Sequence, residues 1–204
     1  MNANREAALR RADLAADPLD QFAAWFAEAR EAIPLAEATA LATCGADGRP
    51  LVRYVLLKAF GPKGFDFYTD HRSEKAGQLE ANPRAALAFW WPPLGRQVRV
   101  SGDVTPLGDA ESDRYFASRP REAQIGAWAS RQSEPLANRA QLDERVAEAK
   151  QRFEGQEVPR PPHWGGYRLA PATIEFWQQG TARLHDRFRY RRQGDGWLVE
   201  RLSP

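Results

Sequence analysis

From Ala38 to Val104 the chain alternates between short apolar-rich runs and turns containing Gly or Pro. ATALATC, LVRYVLLKAF and FDFYT are separated by GADGRP and GPKG, and RAALAFWW and RQVRVSGDV follow. Runs of this length, bounded by turn formers, predict strands, and strands joined mostly by tight turns predict an antiparallel barrel or sandwich. Before them, DPLDQFAAWFAEAREAI changes to a helical period. Leu19, Phe22, Phe26, Ala29 and Ile33 share one stripe, with Asp17 as N-cap and Pro18 at the first helical position. The same pattern predicts helices over SEKAGQLEAN, DAESDRYFAS and NRAQLDERVAEAKQRF.

Beyond the Pro-rich connector QEVPRPPHWGG the pattern returns to strands: WGGYRLAPATIEFWQQG, ARLHDRFRYRR and GWLVERL, with a Gly-Asp-Gly turn before the last. These strands are too few to fold alone. The expectation is therefore a β-dominated α+β chain, with residues 1–16 a flexible tail and 17–204 a single domain.

Composition narrows the class. Hydrophobic residues make up 43% of the 204 positions and seven are Trp, which argues for a packed globule. The single cysteine, Cys44, excludes an internal disulfide and suits a reducing, cytoplasmic setting. The opening stretch lacks a secretory apolar region, and no run reaches the ~18 apolar residues of a membrane span. With 29 basic against 27 acidic residues, the chain is too balanced for a general nucleic-acid binder.

No dinucleotide fingerprint, Walker loop, nucleophile elbow or HExxH occurs, and the three histidines are scattered, so no metal is expected. What remains is a set of cations on short strands. Arg53 and Lys58 bracket an apolar stretch expected to be buried; alone, two such side chains do no more than reach out to solvent. Ser73 as a cap, with Lys75 in the first helical turn, suggests an anion there, against the plain alternative of a surface helix. Tyr115 and Arg119, four apart on one expected helix, are spaced to grip a phosphate together. In QGTARLHDRF, read as a strand, Arg183, His185 and Arg187 share a face with no carboxylate among them, which again calls for an anion.

RYVLLK, FYTDHRSEKAGQLEANPRAAL, RYFASRPREAQIGAWASRQS, WGGYRL and IEFWQQGTARLHDRF occur in that order, and over nearly the whole chain they resemble the pyridoxine (pyridoxamine) 5′-phosphate oxidase family. The resemblance implies an FMN-binding split β-barrel with flanking helices, assembled as a homodimer with FMN at the interface. It implies oxidation of pyridoxine or pyridoxamine 5′-phosphate to pyridoxal 5′-phosphate by O2, releasing hydrogen peroxide. The FMN contacts it implies are Arg53, Tyr54, Val55, Leu56, Leu57 and Lys58, then Tyr68, Thr69 and Lys75. Gln97, Gln132, Ser133, Trp177 and Arg187 complete them. The substrate phosphate is expected against Lys58, Tyr115 and Arg119, with Arg183 and His185, the catalytic candidates, over the pyridine ring.

Three positions depart from the family pattern. Glu74 stands where a cation is common, with Arg72 a candidate replacement. Ala123 stands where a serine is common. The N-terminus is shorter than an extension that many members carry over the substrate. The alternatives are a split-barrel flavoprotein acting on another substrate, or a non-catalytic carrier of FMN or pyridoxal phosphate.

Overall fold

The computed structural model describes residues 8–204. Helix α1 (Pro18–Ala32) starts as its sequence dictates: the Asp17 carboxylate accepts the Leu19 N–H at 2.8 Å, and Pro18 occupies the first turn. Strands β1 (Ala38–Cys44), β2 (Pro50–Leu56), β3 (Ala59–Gly61) and β4 (Gly64–Asp70) follow. Then come α2 (Glu74–Ala81), β5 (Arg84–Trp91) and β6 (Arg96–Pro106). Three helices, α3 (Asp109–Ala117), α4 (Arg121–Ala129) and α5 (Arg139–Arg152), precede β7 (Trp164–Gln178), β8 (Asp186–Gln193) and β9 (Gly196–Leu202). The sequence pattern predicts only two helices in the 109–152 region; REAQIGAWA is the third.

The strands form one nine-stranded antiparallel sheet in the order β2-β1-β5-β6-β7-β4-β3, with β8 added to β7 and β9 to β8. The strands after the Pro-rich connector thus join the same sheet as those before it. The first half of β7 pairs with β4 and the second half with β8, while β6 runs beside both. The register between β6 and β7 shifts at Ser101/Gly102, and a Cβ at Gly102 would collide with the Ala170 carbonyl oxygen. Glycine is therefore required where the long pair bends.

One core lies between α1 and the sheet. Phe22 is fully buried, its ring 4.9–5.4 Å from those of Phe26, Phe60, Phe65 and Phe89. A second joins α3, α4 and α5 to Trp164 through Phe116, Ile125 and Phe153.

Two expectations change. Residues 8–16 are packed down, not a free tail: Leu9 and Leu14 are buried, and the Tyr190 hydroxyl donates to the Ala15 carbonyl at 2.7 Å. Residues 1–7 of the expected tail lie outside the described residues. The apolar middle of RYVLLK is not interior either. β2 is an edge strand with Val52 64% and Tyr54 78% exposed, and only Leu57 is buried.

Phe22→Ala is expected to cost about 3–5 kcal/mol in urea unfolding, the usual loss for a fully buried ring. Asp17→Ala should cost about 1 kcal/mol. Equal losses at the two positions would place the anchor of α1 elsewhere.

Candidate functional site

A cleft of about 650 Å³ opens between β2, the end of β4, the start of α2 and the α3–α4 corner. Strand β4 carries Tyr68, Thr69 and Asp70 to its wall, and β7 brings Trp164 opposite Asp70. Tyr54, Val55, Leu56 and Lys58 line it from the β2 side.

Lys75, in the first turn of α2, is only 8% exposed. Its ammonium donates to Thr69 Oγ1 at 3.0 Å, Ser73 Oγ at 3.2 Å and Gln132 Oε1 at 2.8 Å, and Thr69 Oγ1 donates to Gln132 Oε1 at 2.7 Å. All three acceptors are neutral. Burial, with the nearby Arg53 charge, lowers the Lys75 pKa to about 8. Ser73 occupies the N-cap position, yet its hydroxyl serves Lys75 and makes no cap hydrogen bond.

At the other side α3 ends at Ala117, so Tyr115 and Arg119 do not share a helix as their spacing suggests. Arg119 lies in the turn before α4, where its backbone N–H bonds the Phe116 carbonyl. The turn nevertheless puts both residues in the cleft wall. The guanidinium lies 4.6 Å over the Trp164 ring and 5.5 Å from that of Phe116. One terminal nitrogen is buried with no hydrogen-bond partner among the described residues, and burial lowers the group's pKa. Tyr68 stacks on Tyr115 at 4.0 Å and on Trp164 at 5.5 Å, forming an aromatic wall behind the cation.

Asp70 is the one carboxylate among the described residues of the lining. Burial pushes its pKa up, but three hydrogen bonds from Arg72 (backbone N–H 2.8 Å, Nε 3.1 Å, Nη2 2.7 Å) prevail and hold it below the usual range. Arg72 is thereby committed to Asp70 and, at 3.3 Å, to the Ser130 carbonyl. It is not a free replacement for the cation missing at Glu74. Ala123 lines the cleft, so the absent hydroxyl is absent from the wall itself.

The structure brings together Tyr54, Val55, Leu56, Lys58, Tyr68, Thr69, Lys75, Tyr115, Arg119 and Gln132. Ser133 sits just behind, its hydroxyl accepting the Glu74 N–H at 3.2 Å. Arg53 is turned into the β1–β2 hairpin, donating to Thr43, the Leu41 and Leu51 carbonyls and Gln78. Leu57 belongs to the core.

Gln97, Trp177, Arg183, His185 and Arg187 lie outside the cleft lining. They form a second group: Gln97 is opposite Trp177 across β6–β7, Trp177 is opposite Arg187 across β7–β8, and the His185 ring is 4.5 Å from that of Trp177. Arg187 donates to Glu175 at 3.0 Å, so this face does hold a carboxylate. Burial raises the Glu175 pKa, but hydrogen bonds from Arg187 and Arg99 outweigh it and keep the acid ionised.

The strand expected over 179–188 is also corrected. Thr181–Arg183 is a 3₁₀ turn, Ala182 (φ 51°) and Arg183 (φ 62°) are left-handed, and β8 begins only at Asp186. Arg183, His185 and Arg187 therefore do not alternate along one strand. Sequence reasoning assigned no role to Trp164 or Asp70, although WGGY and FYTD were both conspicuous.

Residues 26–153 match the family described as pyridoxamine 5′-phosphate oxidase, and residues 164–204 match the pyridoxine 5′-phosphate oxidase C-terminal dimerisation region. The chain belongs to the pyridoxamine 5′-phosphate oxidase family. It is 56% identical over 191 residues to a pyridoxine/pyridoxamine 5′-phosphate oxidase of Anaeromyxobacter dehalogenans, covering 93% of this chain and 96% of the relative. A second such oxidase, from Rubrobacter xylanophilus, is 54% identical over 189 residues, covering 92% and 87%. Among solved structures, PhzG of Burkholderia lata in complex with tetrahydrophenazine-1-carboxylic acid superposes with a TM-score of 0.91 at 32% identity, covering 98% of this chain and all of the other. An FMN-binding, pyridoxamine 5′-phosphate oxidase-related protein of Nostoc punctiforme shares the fold at a TM-score of 0.73 and 20% identity, covering 92% and 98%. The second residue group of this family member falls largely within the matched dimerisation region.

A phosphate monoester keeps its dianion from about pH 7 upward, so its binding over pH 7–10 reports on the cleft cations. Lys75 is charged below its pKa of about 8 and loses its proton as pH rises through it. Affinity measured by calorimetry should therefore fall above pH 8, approaching about tenfold per unit. Lys75→Met should bind weakly at all pH values and lose this slope. A slope retained in the variant would assign it to another group.

Proposed function

We propose that the chain oxidises pyridoxine 5′-phosphate and pyridoxamine 5′-phosphate to pyridoxal 5′-phosphate, using FMN and O2. Hydrogen peroxide is released in both cases, and the amine substrate also takes up water and gives ammonia. One observation carries the reading. A single cleft holds two separate cationic stations, Lys75 at the start of α2 and Arg119 at the α3–α4 corner, with Lys58 on the β2 side, and the one carboxylate among its described residues is neutralised by Arg72. Two phosphate esters suit two such stations.

The residues present fit FMN. Lys75, Thr69 and Gln132 form a preassembled donor and acceptor cluster at the start of α2, the usual place for a phosphate. The backbone and side chains of Tyr54–Leu56 offer an extended edge for a flat ring. The electron acceptance itself is chemistry the flavin supplies when bound. Arg119, with Lys58 and the Tyr115 hydroxyl, takes the substrate phosphate. Each charge-assisted hydrogen bond there is worth roughly 1.5–3 kcal/mol. Tyr68, Tyr115 and Trp164 exclude water behind it.

Arg183 and His185 reach this cleft from a second copy of the chain. Trp164 in the cleft wall and Trp177 beside His185 are thirteen residues apart on one continuous strand, a contour of about 40 Å. One small substrate does not span that distance. Val52, Tyr54 and Trp90, 64%, 78% and 49% exposed, supply apolar surface for such a contact.

Purified protein should be yellow and release FMN on denaturation, and anaerobic pyridoxamine 5′-phosphate should bleach it. A colourless protein that ignores added FMN would end the assignment. Arg119→Ala should raise KM for the phosphorylated substrates about tenfold to a hundredfold with flavin retained. Arg183→Ala should lower kcat. Mixing and refolding these two variants should restore about a quarter of wild-type activity, because half of random dimers are hybrids with one intact site of two. No recovery would place both residues in one subunit's site.

A further inference from the structure

The loop between β7 and β8 closes on itself through an unusual contact. The backbone N–H of Gly180 donates to Nδ1 of His185 at 3.2 Å, and the Leu184 N–H returns to the Thr181 carbonyl at 2.9 Å. Glycine is needed at 180 because a Cβ there would collide with the Leu184 carbonyl oxygen. Ala182 and Arg183, both left-handed, turn the chain back over so few residues. Trp177 packs against the imidazole at 4.5 Å and limits its rotation.

We propose that Gly180 is a positioning residue that fixes His185 as the neutral Nε2–H tautomer, so that His185 meets the substrate as a hydrogen-bond donor. A ring nitrogen that accepts a hydrogen bond carries no proton, and a neutral imidazole then has its single proton on the other nitrogen. The Nδ1 lone pair is spent on Gly180, and Nε2, the nitrogen left for a ligand, bears the hydrogen. No basic nitrogen faces outward, so His185 does not act as the base of the reaction. The chemistry that suits it is an oxygen anion on an aromatic ring, such as the 3-oxygen of a hydroxypyridine. The contact with substrate rests on the oxidase reading above; the tautomer rests only on the loop.

The FMN-loaded protein labelled with 15N-histidine gives two-bond nitrogen–proton correlations for its three histidines, and the set lost in His185→Gln belongs to His185. At neutral pH we expect a protonated Nε2 and an unprotonated, hydrogen-bonded Nδ1. A protonated Nδ1 would overturn the proposal. His185→Gln keeps an amide N–H near the place of Nε2, whereas His185→Asn puts one near Nδ1. With flavin equally bound, the Gln variant should turn over about tenfold faster than the Asn variant. Equal or reversed rates would overturn the donor role. Wild-type protein with the expected tautomer and no oxidase activity would sustain the lock and remove the oxidase reading alone.

Discussion

The rest of the site depends on cations withdrawn from water with no carboxylate among the described residues as direct partner. Lys75 spends its three protons on hydroxyl and amide oxygens, and Arg119 lies across indole and phenyl faces with one nitrogen unsatisfied. Elsewhere the chain pairs its buried and half-buried cations: Arg96 with Glu28, Arg160 with Asp109 and Asp113, and Arg168 with Asp66. An internal acid at Lys75 or Arg119 would quench the charge and fill the cleft's purpose from within. Leaving them unpaired costs folding stability and makes the cleft a receptor for a ligand that brings its own negative charge.

The scaffold supplies that arrangement from opposite sides. The β4–β7 pair fixes Thr69 and Trp164, the α2 start fixes Lys75, and the α3–α4 corner aims Arg119. Arg160 ties this corner together by donating to Asp109 and Asp113 on α3 and to the Trp164 carbonyl. Trp164 thus belongs at once to the sheet, the helical core and the cleft wall. The second group, around Trp177, has its own acid in Glu175 and its own strained loop. It is built to hold side chains in fixed directions rather than to attract charge.

Most of the strands were legible because their alternation and turns leave little choice; β1, β4, β5 and β9 fall close to their expected spans. The unusual setting of Lys75 was legible too, since a lysine in a first helical turn conflicts with the helix dipole, and the structure buries it against hydroxyl and amide oxygens. Other features were hidden because residue spacing alone does not show where the chain turns or what covers its apolar side chains. ARLHDRF alternates like a strand, and only the collision awaiting any side chain at Gly180 shows why it turns instead. Tyr115 and Arg119 keep helical spacing, yet Pro120 starts a new helix and breaks the line between them. RYVLLK looks interior by composition, whereas Tyr54 and Leu56 lie exposed on an edge strand and only Leu57 is buried. A sequence states that such residues avoid water; it does not state whether their own chain or another one covers them.

The long strand β7 also sets a distance. Trp164 at one end and Trp177 at the other lie on one continuous strand, paired with β4 over Trp164–Leu169 and with β6 over Tyr167–Gln178 across a single register shift, so each is located by counting peptide units. A substitution along the span alters packing at its own position and leaves the spacing intact. Loss of a single residue between the bend at Pro171 and Trp177 would instead rotate every later side chain to the opposite face and draw Trp177 about 3.3 Å toward the other end. The segment therefore behaves as a ruler, far more sensitive to length than to composition.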